Sequence, residues 1–220
     1  MKRYIKHIFL VWRRQPGDRR IKVGILRRSS TQGVIFRYIL EGVNEAIKYG
    51  FSGFPDFPDI QATYINNVLE RFSLRLNDPE REDIDKYYKY WEIEPSHISD
   101  RYYVLAQTQG LLPTDNFEFL AEYNPIKDLK FITEICGLSH IELKKDTIKE
   151  GDELSWTFEK NKYDKFAVAL YKGKQKLGYV KIVHNKLFYE SKYRKFKIVV
   201  KSVEQNGKIS RAFISVQTLP

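Results

Sequence analysis

The sequence predicts an α+β chain in two parts: an N-terminal three-stranded meander with helices, then a small β-barrel with one or two short helices. Three observations carry that expectation. Short runs rich in β-branched and aromatic residues recur between turn-forming clusters near both ends of the chain. A stretch of helical periodicity separates the two sets. The charge balance changes beside Asn124-Pro125-Ile126-Lys127-Asp128, a proline-containing connection that divides residues 1–126 from 127–220.

Ile5–Arg13, Ile21–Leu26 and Val34–Leu40 are the first strand candidates, separated by Gln15-Pro16-Gly17-Asp18 and Ser29-Ser30-Thr31-Gln32-Gly33. Glu41–Tyr49 reads as a short helix ended by Gly50. Phe51–Asp59 is a proline-pinned aromatic loop, because its prolines remove donors and restrict their neighbours. From Ala62 the pattern turns helical, with Tyr64, Val68 and Phe72 on one face. Asp83–Trp91 and Asp100–Thr108 are further helices, and Phe117–Tyr123 is extended.

Beyond the connection, strands are expected at Lys130–Gly137, Glu153–Glu159, Phe166–Tyr171, Lys176–Lys181, Phe196–Val203 and Ile209–Gln217. Lys172-Gly173-Lys174-Gln175 joins one hairpin. Glu204-Gln205-Asn206-Gly207-Lys208 joins another, since Asn and Gly both tolerate positive φ. Val183–Glu190 is a short helix between the hairpins.

The 220 residues include 15 Tyr, 14 Phe and 3 Trp, enough large apolar surface for a real core. A single Cys excludes a disulfide framework and a multi-thiolate metal site. No stretch approaches the ~20 apolar residues of a membrane span, and Ile8–Trp12 is too short for a signal peptide. A cytoplasmic protein that does not engage membrane is expected. The net charge of +10 is uneven. Residues 1–37 carry 11 basic and 1 acidic side chains, and 38–128 carry 8 and 17. Residues 129–220 carry 19 and 10, a surplus that suits a polyanion or merely a soluble surface.

Catalytic chemistry is not legible. His7, His97, His140 and His184 are scattered, without metal-ligand spacing. Cys136 reads as a small core residue. There is no glycine-rich phosphate loop and no nucleophile elbow. Glu80-Arg81-Glu82-Asp83-Ile84-Asp85 lacks the glycine a calcium loop needs, and suits a solvated helix start. No enzyme, catalytic residue, cofactor or metal is expected.

Gly137-Leu138-Ser139-His140, Gly151-Asp152-Glu153-Leu154, Asn161-Lys162-Tyr163-Asp164 with Ala167-Val168, and Leu177-Gly178-Tyr179-Val180 together resemble the HIRAN domain over about residues 129–217. That domain is a small β-barrel, found alone in bacteria and fused to helicase-like remodelling enzymes in eukaryotes. The resemblance implies a pocket gripping the 3′ end of a single DNA strand. Asn161, Tyr163 and Asp164 fall on pocket positions, with the Asp accepting from the 3′-hydroxyl and the Tyr stacking on the last base. Ser139 lies beside His140, which falls on a base-stacking position. Tyr179 and Lys181 suit base or phosphate contacts on the neighbouring strand. Lys162 and Phe166 depart from the family pattern, and a Phe at 166 could fill the pocket. The alternative for Tyr163 and Asp164 is a turn whose Asp caps backbone amides.

Val23-Gly24-Ile25-Leu26, Ile35-Phe36-Arg37-Tyr38, the loop at 54–58, Phe72–Leu76 and Leu105–Thr114 resemble the N-terminal subdomain of HipA-type toxin kinases. No kinase core is present, so this likeness implies protein docking alone. Phe51, Phe54 and Phe57 are its candidate contacts, or else part of their own core. The leading expectation is a bacterial, non-enzymatic protein that binds single-stranded DNA or 3′ DNA ends. Its rival is a docking adaptor or regulator of a HipA-type kinase, toxin–antitoxin or defence system.

Overall fold

Backbone donors and acceptors in the apolar N-terminal runs are satisfied by pairing with one another, and the sheet that results is wider than three strands. A computed structural model describes residues 4–141, 143–161, 164–190 and 195–219, the side chain of Ser139 excepted. The fold is α+β, with few helices and two sheets, one of them curled into a half-barrel. The chain divides into two compact units, Ile5–Glu122 and Tyr123–Pro220, the latter taking in Met1–Tyr4.

In the first unit, β1 (Ile5–Trp12), β2 (Ile21–Arg28) and β3 (Val34–Tyr38) form the antiparallel meander. The sheet gains β4 (Thr63–Tyr64) on one edge and β5 (Phe117–Tyr123) on the other, in the order β4-β3-β2-β1-β5. The helical expectation from Ala62 therefore fails at its first turn. Tyr64 pairs with Phe36 in β-register, and its ring stacks on the Phe36 ring at 6.1 Å. An open strand edge outcompetes local periodicity there. Helix α1 (Leu40–Ile47) lies so close to β2 that a Cβ on Gly42 would sit 1.9 Å from the Lys22 carbonyl oxygen. Helix α2 (Val68–Ser73) starts only after Asn67, which takes a left-handed φ of 52°. It buries Val68 and Phe72, the stripe its spacing predicts.

Helix α3 (Ile84–Tyr90) and helix α4 (Arg101–Thr108) follow. Asp100 caps α4 by accepting from the Tyr102 and Tyr103 amides at 3.1 and 3.2 Å. Arg28 forks onto the same carboxylate. Phe36, Phe54, Phe57, Phe72 and Phe119 form the aromatic centre of this unit. Each such ring stabilises by about 1.5–3 kcal/mol through burial.

The second unit contains β6 (Lys130–Cys136), β7 (Ser155–Phe158), β8 (Val168–Lys172), β9 (Gln175–Val180), α5 (Asn185–Glu190), β10 (Phe196–Asn206) and β11 (Lys208–Thr218). Its sheet runs β10-β11-β6-β9-β8-β7. The two ends of that order are brought together by the residues before β7. Gly151 and Leu154 donate their amides to Val200 and Ile198, while Asp152 accepts from Val200. The curl thus satisfies edge groups that an open sheet would expose. Gly178 permits it: a Cβ there would lie 2.3 Å from the Cys136 carbonyl oxygen, at a φ of 145°. Gly207 forms the bend of the β10–β11 hairpin, whose strands run longer than expected and carry two register shifts.

Candidate functional site

Asn161 and Asp164 close a turn between β7 and β8. The Asn161 Oδ1 accepts from the Asp164 amide at 2.8 Å, and the Asn161 amide donates to the Asp164 carbonyl at 3.2 Å. Asp164 continues the turn by accepting from the Phe166 amide at Oδ1, 2.8 Å. Its Oδ2 accepts from the Asn185 side-chain amide at 2.5 Å. Asn185 is buried at the start of α5, and its own Oδ1 finds no hydrogen-bond partner among the described residues. Asp164 therefore caps backbone as the turn reading expects. A carboxylate offers about four lone-pair sites, however, so these two bonds leave it able to accept another donor. Tyr163 lies outside the described residues, as does the side chain of Ser139.

His140 is exposed at the end of a short 3₁₀ turn, Leu138–His140. Tyr179 is half-buried on β9, and its hydroxyl joins a compact polar group. The Tyr179 hydroxyl donates to Glu159 Oε1 at 2.6 Å. The Lys176 ammonium donates to the same oxygen at 2.5 Å and to the Tyr179 hydroxyl at 2.8 Å. Hydrogen bonds from Lys176 and then Tyr179 hold the Glu159 carboxyl below its ordinary pKa, against the opposing effect of burial. Lys176 also lies over the Tyr179 ring, 4.5 Å from its centre.

Lys181 corrects the expectation of a phosphate contact. Its side chain is 0% exposed, and Nζ lies 3.4 Å from Glu134 Oε2. Lys181 lies just past the end of β9, where its carbonyl accepts from the His184 and Asn185 amides at 2.9 and 3.0 Å, and Glu134 also receives Arg211 at 3.2 Å. A lysine so enclosed cannot reach a nucleic-acid backbone.

Three residues absent from the sequence-derived site stand out on the surface. Phe158, Phe166 and Tyr189 are 48%, 39% and 38% exposed, although each is large and aromatic. The Tyr189 ring lies 4.0 Å from Phe158 and 5.2 Å from Phe166, so the three form one strip. Trp156 supports its inner edge, 5.1 Å from Phe158, and is backed by Phe188 and Phe196. Lys165 places its ammonium 5.1 Å from the Phe166 ring centre. Burial, and then the Asp164 carboxylate, raise the Tyr189 hydroxyl above its ordinary pKa. Phe166 is thus an outward wall, resting edge-to-face on Tyr189. The one signal in the sequence that pointed here was Phe166, singled out as a departure from the HIRAN pattern.

Phe51, Phe54 and Phe57 also require correction as partner contacts, since all three are buried. The Tyr38 hydroxyl holds the loop inward by accepting from the Phe54 amide at 2.8 Å and donating to the Phe57 carbonyl at 2.6 Å. Phe54 and Phe57 then pack on Phe72 at 5.0 and 4.8 Å. The prolines pin a core-filling loop.

Among the described residues, no three His, Cys, Asp or Glu side chains gather as a metal site, and no helix is long and apolar enough to cross a membrane. Comparison with protein-family models finds no match, and none is found among curated proteins or solved structures.

Proposed function

We propose that the β-rich unit binds a single nucleic-acid strand by its 3′ end, as the HIRAN resemblance implies. The observation that carries this reading is the Asn161–Asp164 turn, braced by Asn185 and bordered by exposed aromatic rings and lysines. Asp164 keeps lone pairs for a terminal hydroxyl. Its negative charge disfavours a terminal phosphate at the same place. Residues 129–220 supply the positive surplus that draws a polyanion, with 19 basic against 10 acidic side chains. The docking-adaptor alternative loses its proposed contacts, because Phe51, Phe54 and Phe57 are enclosed.

Fluorescence anisotropy with matched oligonucleotides tests the proposal. A single strand ending in a 3′-hydroxyl should bind more tightly than the same strand ending in a 3′-phosphate, and binding should weaken steeply with salt. Equal affinity for the two ends defeats end recognition.

A further inference from the structure

The polar turn accounts for one terminal group, but leaves the neighbouring aromatic strip unexplained. Exposing three large rings side by side forfeits burial that each would otherwise gain, so a strip of this kind is a surface awaiting a cover. Phe158 ends β7, Phe166 leaves the Asp164 turn, and Tyr189 comes from α5; three separate elements therefore converge to build it. Trp156, Phe188 and Phe196 pack behind it and hold Phe158 in place.

Charge selects the cover. Lys160 and Lys165 are exposed on the loop that joins Phe158 to Phe166, and the Lys165 ammonium stands over the Phe166 ring. The nearby carboxylates are largely engaged. Glu159 is held by Lys176 and Tyr179, and Asp164 by Asn185 and the Phe166 amide. Glu190, exposed beside Tyr189, is the acidic group that a phosphate must avoid. Aromatic faces flanked by cations suit nucleobases joined by phosphates, because every base offers a π-face and every linkage a negative charge.

We infer that Phe158, Tyr189 and Phe166 form a stacking surface for consecutive bases of a single nucleic-acid strand, with Lys160 and Lys165 on its phosphates. This rests on the nucleic-acid reading above, and extends it from the terminal hydroxyl to the bases behind it. The surface reads no base identity, since stacking tolerates any base. Tyr189 contributes its ring and does not need its hydroxyl.

The test uses the full chain and oligothymidylates of about ten nucleotides, each prepared with a 3′-hydroxyl, with a 3′-phosphate, and with internal abasic sites of equal charge. Phe158→Leu, Phe166→Leu and Tyr189→Leu keep apolar volume but remove the planar face. Each should weaken binding of the base-bearing strand about fivefold or more and leave the abasic strand unaffected. Tyr189→Phe should bind as wild type. If the leucine variants bind base-bearing strands like wild type while 3′-hydroxyl preference persists, the stacking surface is wrong and end recognition stands. If the variants lose affinity but the two ends bind equally, the surface stands and end recognition is wrong. Loss of concentration-dependent self-association in the leucine variants, with unchanged oligonucleotide binding, would assign the strip to a second copy of this chain and overturn the inference.

Discussion

Asn185 donates its side-chain amide to Asp164 at 2.5 Å, tying the first residue of α5 to a turn 21 positions earlier. The bond closes the unit around its candidate site, and a change at Asn185 should be felt there. Asn185→Ala removes a buried donor and should cost about 1–3 kcal/mol in urea unfolding. Asn185→Asp should cost more, because it sets a second carboxylate against Asp164. Both should reduce discrimination between 3′-hydroxyl and 3′-phosphate ends, and a variant that keeps full discrimination removes Asn185 from the site.

Lys181 separates stability from binding. Lys181→Ala leaves Glu134 partly compensated by Arg211, so unfolding measurements should show a loss of about 2–4 kcal/mol. Lys181→Met should be milder, and should leave oligonucleotide affinity and its salt slope unchanged. Lys165→Met, by contrast, should lower that slope. A lowered slope for Lys181→Met would contradict the burial of Lys181, and an unchanged slope for Lys165→Met would contradict its phosphate contact.

The proline loop makes an equally direct prediction. Phe54→Ala or Phe57→Ala should each destabilise the first unit by about 3–5 kcal/mol, because each ring fills the aromatic core. Thermal and denaturant unfolding measure it. A change below about 0.5 kcal/mol is what an exposed docking residue would produce.

Gly178→Ala should cost about 2–4 kcal/mol, combining the clash with the Cys136 carbonyl and an unfavourable φ. Substituting Gly173, which also has positive φ but open space around a Cβ, should cost less. Paired denaturation curves check the order.

Acid should weaken the first unit through His7. Burial lowers its pKa, while Glu122, 3.0 Å away, pulls the other way and Arg27 and Lys6 reinforce the lowering. The folded state therefore favours the neutral ring. The unfolded chain takes up a proton first as pH falls through about 6.5, and stability declines from there until the folded-state value is passed. Unfolding curves between neutral and mildly acidic pH should show this slope, and His7→Gln should flatten it.

Where the reading of the sequence succeeded, the signal was local. The alternation in Lys130–Gly137, the Asn206-Gly207 bend and the helix expected over Asp100–Thr108 each report backbone geometry within a few residues. The failures were of direction. Tyr64 belongs to a strand because Phe36 offers it an edge, and Lys181 turns inward because Glu134 awaits it. Phe54 and Phe57 face the core because the Tyr38 hydroxyl satisfies their loop backbone. Each outcome depends on a partner distant in sequence.

The amino-acid sequence alone determined the α+β class, the two sets of strands and the basic surplus of residues 129–220, since periodicity, turn chemistry and charge are properties of the chain itself. Tertiary structure alone decided which of its aromatic residues became core and which became surface. Phe54 and Phe166 carry the same side chain, and each lies within a loop or turn. One is enclosed by Phe72 and Phe119, while the other is exposed and, among the described residues, has ring contacts with Tyr189 and Lys165. Burial is set by what the rest of the fold brings to a residue, and composition does not encode it.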